Sequence, residues 1–277
     1  MRADSRFRGM SQGFWGIVRL VSQNLGYTSS GVIRTHGADD VVAFMESENL
    51  LVPVGTRIDD VVAYLAYRAE ALNKQVQFDL MDVKAARSLF LRLKRRNNPT
   101  CPIPMNKQKG EMKTEAYFTS SINILIQKTL MDNGINTCDF DPRSLVVFTT
   151  NGSISSVTSR RVDGCYPSVK DPVAVWEIKE YYYTTTFGSR VADGVYETML
   201  DGFELQVARH ETNREIQHIL FIDAKYTWWD LGKSYLCRMV DILNMGLVSE
   251  VVFGKQIVER VPLLVKSWID NRIQIDR

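Results

Sequence analysis

Between residues 97 and 110 the chain reads Asn-Asn-Pro-Thr-Cys-Pro-Ile-Pro-Met-Asn-Lys-Gln-Lys-Gly. Pro99, Pro102 and Pro104 each lack a backbone donor and clash with a preceding helical turn, so no helix crosses this stretch. It parts two sequences of different texture. Residues 1–96 read as mainly helical, and residues 111–277 alternate strand and helix. The expected organisation is a helical front region (1–96), a basic Pro-rich linker (97–110) and an α/β domain (111–277).

In the front region, Phe14, Ile17, Val18, Val21 and Leu25 recur at helical spacing over residues 12–26, with Gly26 as the stop. Asp39-Asp-Val-Val-Ala-Phe44 returns as Asp59-Asp-Val-Val-Ala-Tyr64. Each copy places carboxylates where a first helical turn favours them, so both are helix starts. Residues 57–73 and 80–96 read as further helices.

Beyond the linker, residues 113–131 carry Phe118, Ile122, Leu125, Ile126 and Leu130 on one helical stripe, and Glu115 falls on its buried side. Residues 144–150 form a strand, and Asn151-Gly152 is the strongest short hairpin signal. The return strand runs 154–163 and ends at Asp163; a third strand covers 173–180. Residues 188–209 read as a long helix with Val191, Val195, Met199, Leu200, Phe203 and Val207 inward. A strand (217–228), a helix (233–245), a strand (248–253) and a helix (257–270) complete the chain. A meander followed by a crossover helix gives a mixed sheet with helices on both faces.

Formal net charge is only +2, yet the first part of the chain is enriched in Lys and Arg and the remainder in Asp and Glu. Lys84, Arg87, Arg92, Lys94, Arg95, Arg96, Lys107, Lys109 and Lys113 face a single acid, Glu111, across the linker. Such a run is either a solvated helix end or a phosphate contact. Cys101, Cys138, Cys165 and Cys237 match no zinc spacing and read as free thiols. No apolar run approaches the ~18 residues of a membrane span, so a soluble cytoplasmic protein without membrane contact is expected. Walker, dinucleotide and nucleophile-elbow patterns are absent from the sequence.

The chemistry concentrates in Arg160-Arg-Val-Asp163-Gly and Trp176-Glu177-Ile178-Lys179. Residues two apart on a strand share a face, so Glu177 and Lys179 project together while Ile178 points into the core. If the two strands pair, Asp163 comes alongside. Two carboxylates and an ammonium then converge, a set that suits a hard divalent cation and a phosphate. The bland alternative is a solvated strand end with an Asp-Gly turn.

This order of elements, with an acid ending the second strand and Glu-x-Lys in the third, resembles the PD-(D/E)XK nuclease superfamily over about residues 111–255. The resemblance implies a restriction-endonuclease-like core. Asp163 matches the first motif, with Val162 where proline often stands; Glu177 and Lys179 match the second. Glu115 sits where many members place a further glutamate, with Glu111 as its rival. It also implies Mg²⁺, with Mn²⁺ substituting, held by Asp163, Glu177, the carbonyl of Ile178 and Glu115, and Lys179 positioning the attacking water. The implied activity is hydrolysis of double-stranded DNA by a homodimer, as in type II restriction or phage defence. Arg92, Lys94, Arg95, Arg96, Lys107, Lys109 and Lys113 are the expected DNA contacts. Phe221-Ile-Asp223-Ala-Lys225 is a rival acid-x-Lys triplet, ranked second because a helix precedes it. A non-catalytic DNA-binding or assembly subunit, or a nuclease subunit dependent on a helicase or sensor, are the alternatives.

Overall fold

The computed structural model describes residues 1–108, 111–183 and 188–275, without the side chains of residues 107, 108, 111–113 and 275. The front region opens with α1 (Gln12–Leu25), whose first turn is closed by the Ser11 hydroxyl accepting from Phe14 N at 3.1 Å. A two-residue ribbon follows, β1 (Thr28–Ser29) against β2 (Val32–Ile33), then α2 (Ala38–Ser47) and α3 (Ile58–Ala71). Both Asp-Asp pairs lie in first turns, as the sequence predicts. Phe14, Trp15, Val18, Val41, Val61, Tyr64 and Leu65 form one apolar core between these helices. Without a break, α3 continues through a π-turn (Leu72–Val76) into α4 (Gln77–Asp79).

Helix α5 (Val83–Asn97) starts at Asp82, which accepts from Ala85 N at 2.7 Å. Its Ala86, Leu89, Phe90 and Leu93 pack not with α1–α3 but with the apolar side of the central sheet. The three prolines do exclude a helix. The stretch after them is not a plain loop, however: β3 (Met105–Gln108) pairs antiparallel with β4 (Glu111–Glu115). Ala116 N donates to Pro104 O at 2.8 Å and extends that ladder. Helix α6 (Tyr117–Asp132) therefore begins a turn later than its apolar stripe suggests, and Glu115 ends a strand rather than facing inward from a helix.

The central sheet has the order β11-β10-β9-β8-β5, built from β5 (Asp139–Phe140), β8 (Gly164–Tyr166), β9 (Ala174–Glu180), β10 (Gln217–Asp223) and β11 (Glu250–Phe253). The β5–β8 and β8–β9 pairs are antiparallel, and β9, β10 and β11 run parallel to one another. It is a mixed sheet. Asn151-Gly152, with φ of 51° and 82°, turns β6 (Val147–Thr150) into β7 (Ser153–Val157), as the dipeptide demands. That hairpin is a separate ribbon beside α7 (Ser189–Thr212). The return strand ends at Val157, and Asp163 follows a bend, immediately before β8.

Helices α5, α6 and α9 (Ile257–Ile275) cover one face of the sheet, where Trp176 and Trp268 stack at 5.3 Å. Gly164 is required there: a Cβ would lie 2.1 Å from the Trp176 indole. Helices α7 and α8 (Lys233–Asn244) cover the other face over Leu220, Ile222, Val251 and Phe253. The inward face of α7 is not the one its large apolar residues suggest. Val191, Gly194, Val195, Thr198, Asp201, Gly202, Leu205 and Ala208 are buried, whereas Leu200, Phe203 and Val207 are exposed. Gly194 and Gly202 let α7 approach Tyr181 and Leu247, and half-buried Arg160 pairs with Asp201. Among the described residues, no helix is long and apolar enough to cross a membrane.

Candidate active site

Antiparallel pairing of β8 with β9 sets Gly164 opposite Trp176. Asp163 N donates to Trp176 O at 3.2 Å, and the Asp163 carboxylate accepts from Ile178 N at 2.7 Å. Asp163 thus comes alongside Glu177 and Lys179, which project toward α7. Both faces of the strand are covered: Ile178 packs against the α5–α6–α9 core, half-buried, while Glu177 is 2% and Lys179 3% exposed on the α7 side. Charged side chains are buried this deeply only when paired, and these are. Lys179 Nζ reaches Glu177 Oε2 at 3.4 Å and Glu197 Oε2 at 2.9 Å.

Three further members come from residues to which the sequence assigned no role. Arg160, in the bend before Asp163, lies 3.1 Å from Glu177, 3.4 Å from Glu197 and 2.6 Å from Asp201. Glu197 and Asp201 sit one turn apart on α7. Gly194, a turn before Glu197, has no room for a side chain, since a Cβ would meet the Tyr181 hydroxyl at 2.8 Å. The usable sequence signal is that i, i+4 acid pair together with Gly194 and Gly202. It is masked because the larger apolar residues of α7 define a competing stripe.

Four carboxylates (Asp163, Glu177, Glu197, Asp201) therefore face two cations (Arg160, Lys179). The excess of negative charge moves the titrations. Burial and the nearby Glu177 push the Asp201 carboxyl up to about 7, against the pull of Arg160 and Lys179. Burial and Glu177 likewise push Asp163 up, to about 7, against Ile178 N–H and both cations. Asp163 as a residue is exposed, so water screens part of that push; the direction is upward. Burial opposes the charges on Lys179 and Arg160, but the surrounding carboxylates outweigh it and hold both firmly cationic.

Glu115 is not in this cluster. It is half-exposed and faces Lys94 at 3.9 Å. The triplet at Asp223 does not form: β10 stops at Asp223, Ala224 takes φ of 110°, and Lys225 turns away exposed. Asp223 is instead a buried anchor, accepting from Met81 N at 2.7 Å and from the Tyr182 hydroxyl. Arg92, Lys94, Arg95 and Arg96 are exposed on α5, which covers the sheet face opposite Lys179. Lys109 lies outside the described residues, as do the side chains of Lys107, Glu111 and Lys113.

All donors around Glu177 are carboxylate oxygens, the right chemistry for a hard cation, and Glu177 Oε1 is buried without a well-formed hydrogen bond. In this arrangement Arg160 and Lys179 are the cations that these oxygens face. Among the described residues, no three His, Cys, Asp or Glu side chains are grouped to bind one. The guanidinium of Arg160 lies between Glu177 and Asp201.

Two family models match the chain. One, described as Domain of unknown function (DUF7687), covers residues 81–268, and the chain belongs to that family. The other, Domain of unknown function (DUF7690), matches residues 1–75. No curated protein and no solved structure matches.

Proposed function

We propose that this member of the DUF7687 family is a phosphodiester hydrolase of the PD-(D/E)XK type, cutting double-stranded DNA in restriction or phage defence. The observation that carries the reading is the meeting of solvent-open Asp163 with the buried Glu177–Lys179 pair at the β8–β9 pair. It sits in the central sheet where β5, β8 and β9 pair antiparallel in succession and α7 crosses over to the parallel strand β10. In chain order the β6–β7 ribbon comes between β5 and β8, so the hairpin expected to supply the first two strands lies outside this sheet. A chance Glu-x-Lys on a solvated strand end would leave both side chains in water.

Hydrolysis of a phosphodiester loads negative charge onto the phosphoryl oxygens and takes a proton from the attacking water. Lys179 Nζ, fixed between Glu177 and Glu197, is a preorganised positive charge for the first task. Asp163, open to water and with its carboxyl pushed upward by burial and Glu177, serves the second. Arg160 adds a second positive charge at the mouth of the cluster. The Mg²⁺ dependence that the resemblance implies requires Arg160 to leave Glu177, so loss of activity in EDTA is part of the proposal. Cutting both strands with one site per chain calls for two copies, so a two-fold dimer belongs to the proposal; light scattering measures it.

A second reading is favoured by the same guanidinium. With Arg160 neutralising Glu177 and Asp201, the chain could be a DNA-binding or assembly subunit with a silent site. Supercoiled plasmid incubated with the purified chain in Mg²⁺ or in EDTA separates the two. Nicked or linear product, lost in EDTA and reduced about 100-fold or more in Glu177→Gln, is the expected outcome. Full cleavage by folded Glu177→Gln and Lys179→Ala variants would falsify the catalytic assignment. DNA retained on a gel without cleavage in any metal would establish the second reading.

A further inference from the structure

A cleft of about 400 Å³ opens where the front helices meet the sheet domain, between α1, Tyr27, α7 and α8. It is separate from the carboxylate cluster: Tyr196 and Met199 line the cleft, whereas Glu197 and Asp201 of the same helix reach Lys179 and Arg160. Its volume lies within the range of about 300–1,000 Å³ usual for small-molecule sites.

The charges in the cleft are unbalanced. Arg19 and Arg238 line it, and among the described residues neither has a carboxylate within ion-pairing distance. Arg19 reaches only the Met245 sulfur, at 3.2 Å. Arg238 is half-buried, makes two long hydrogen bonds, to the Tyr27 hydroxyl and to Gln23 Oε1, both 3.4 Å, and lies over the Tyr27 and Tyr235 rings. The one acid in the lining, Asp241, is already engaged by Arg68 through both oxygens at 3.0 Å and by the Tyr64 hydroxyl at 2.5 Å. Of the other half-buried arginines, Arg160, Arg214 and Arg260 meet carboxylates, and Arg34 and Arg209 donate to backbone carbonyls. Two unmatched guanidiniums converging on one cleft are the arrangement that accepts a phosphate.

The rest of the lining describes the other half of the ligand. Val195, Met199 and Ile242 make an apolar floor. The Tyr27 ring already lies between the guanidiniums of Arg68 and Arg238, each 5.7 Å from its centroid. Tyr196, 56% exposed, is the ring left with a free face. A flat, largely apolar group can stack there while an attached anion reaches Arg19 and Arg238. We propose that this cleft binds a nucleotide, with the phosphate on Arg19 and Arg238 and the base against Tyr196. The same chemistry is offered by a free mononucleotide or by the end of a single strand. The site does not depend on whether the carboxylate cluster is catalytic.

Titration with a fluorescent N-methylanthraniloyl AMP, followed by competition, tests it on the full-length chain. Saturable binding displaced by AMP or GMP is expected, with adenosine and inorganic phosphate each at least about tenfold weaker as competitors. Arg19→Gln and Arg238→Gln should each weaken AMP by about tenfold or more, and Tyr196→Ala by several-fold, without moving the thermal midpoint of the two exposed-site variants Arg19→Gln and Tyr196→Ala. A short oligothymidylate that competes better than AMP assigns the site to a strand end; AMP competing equally or better assigns it to the free nucleotide. Both uphold the proposal. Absence of saturable binding up to about a millimolar AMP or GMP overturns it. So does binding unchanged in the Arg19→Gln/Tyr196→Ala double variant.

Discussion

Arg68 and Arg160 are both arginines wedged among carboxylates and helices, but their surroundings follow different rules. Arg68 is sealed between α3 and α8, with one acid, Asp241, and the hydroxyls of Ser22 and Tyr64 completing the set. Charge balances one to one, and water is excluded. Arg160 keeps more than a quarter of its side-chain surface accessible and shares four carboxylates with Lys179. Charge there is in excess, and the cluster opens to solvent through Arg160, Glu197 and Asp163. A balanced, closed pair fixes how two helices meet. An unbalanced, open cluster retains negative charge that a further cation or a proton can answer.

The difference can be broken most forcefully at Arg68. Arg68→Met leaves the Asp241 charge buried without its counter-ion, held only by the Tyr64 hydroxyl, and should cost about 3–5 kcal/mol in chemical denaturation; a loss below about 1 kcal/mol would show that the pair is not sealed. At Arg160 the same kind of change should act in the opposite sense on cations. Arg160→Gln frees Glu177 and Asp201, so calorimetry should record Mn²⁺ binding about tenfold tighter than in the parent chain. Equal affinities would mean that the guanidinium does not compete for that position.

Proton occupancy gives a subtler contrast. Burial and Glu177 hold the folded Asp201 carboxyl at about 7, against 3.8 as its reference value. The folded chain therefore binds that proton more tightly than the unfolded one. The resulting stabilisation is complete below about pH 4 and is lost as pH rises toward 7. Asp201→Asn should flatten this part of a stability-against-pH curve, and an unaltered slope would move the proton to another group. The smallest effect belongs to the exposed charges of α5. Arg95→Ala and Arg96→Ala should leave stability within about 0.5 kcal/mol. If they touch DNA, each should lower the salt dependence of binding by about one phosphate contact; an unchanged slope removes α5 from the interface.

Much of the fold is legible where one local rule dominates. The spacing of Phe14, Ile17, Val18 and Val21 determines α1, the paired aspartates open α2 and α3, and Asn151-Gly152 permits hardly any turn but the one found. Glu177 and Lys179 share a face because β9 is a regular strand. The failures occur where tertiary contact overrides local preference. Strand β5 is two residues long and owes its existence to pairing with Gly164 and Cys165. Glu115 lies on a strand because Met105 opposes it, not because of its own neighbours. On α7, glycine and a buried acid face inward while Leu200 and Phe203 face out, since close approach and ion pairing outweigh side-chain size at that surface. Arg160 stood beside Asp163 in the sequence, but nothing local indicates that a bend returns it over Glu177.

The two family matches end and begin on either side of residues 76–80, inside the helical run that carries α3 through its π-turn into α4. That junction is a splice rather than a tether. Arg68 lies before it and Asp241 far beyond it, and Met81 is pinned to Asp223 just after it. A front half grafted onto a foreign sheet domain would arrive carrying a buried positive charge with no counterpart. Recombination across this point is therefore self-limiting: the halves can be exchanged only as a matched pair, and a twist applied to α3 is delivered to the end of β10 instead of dissipating in slack chain.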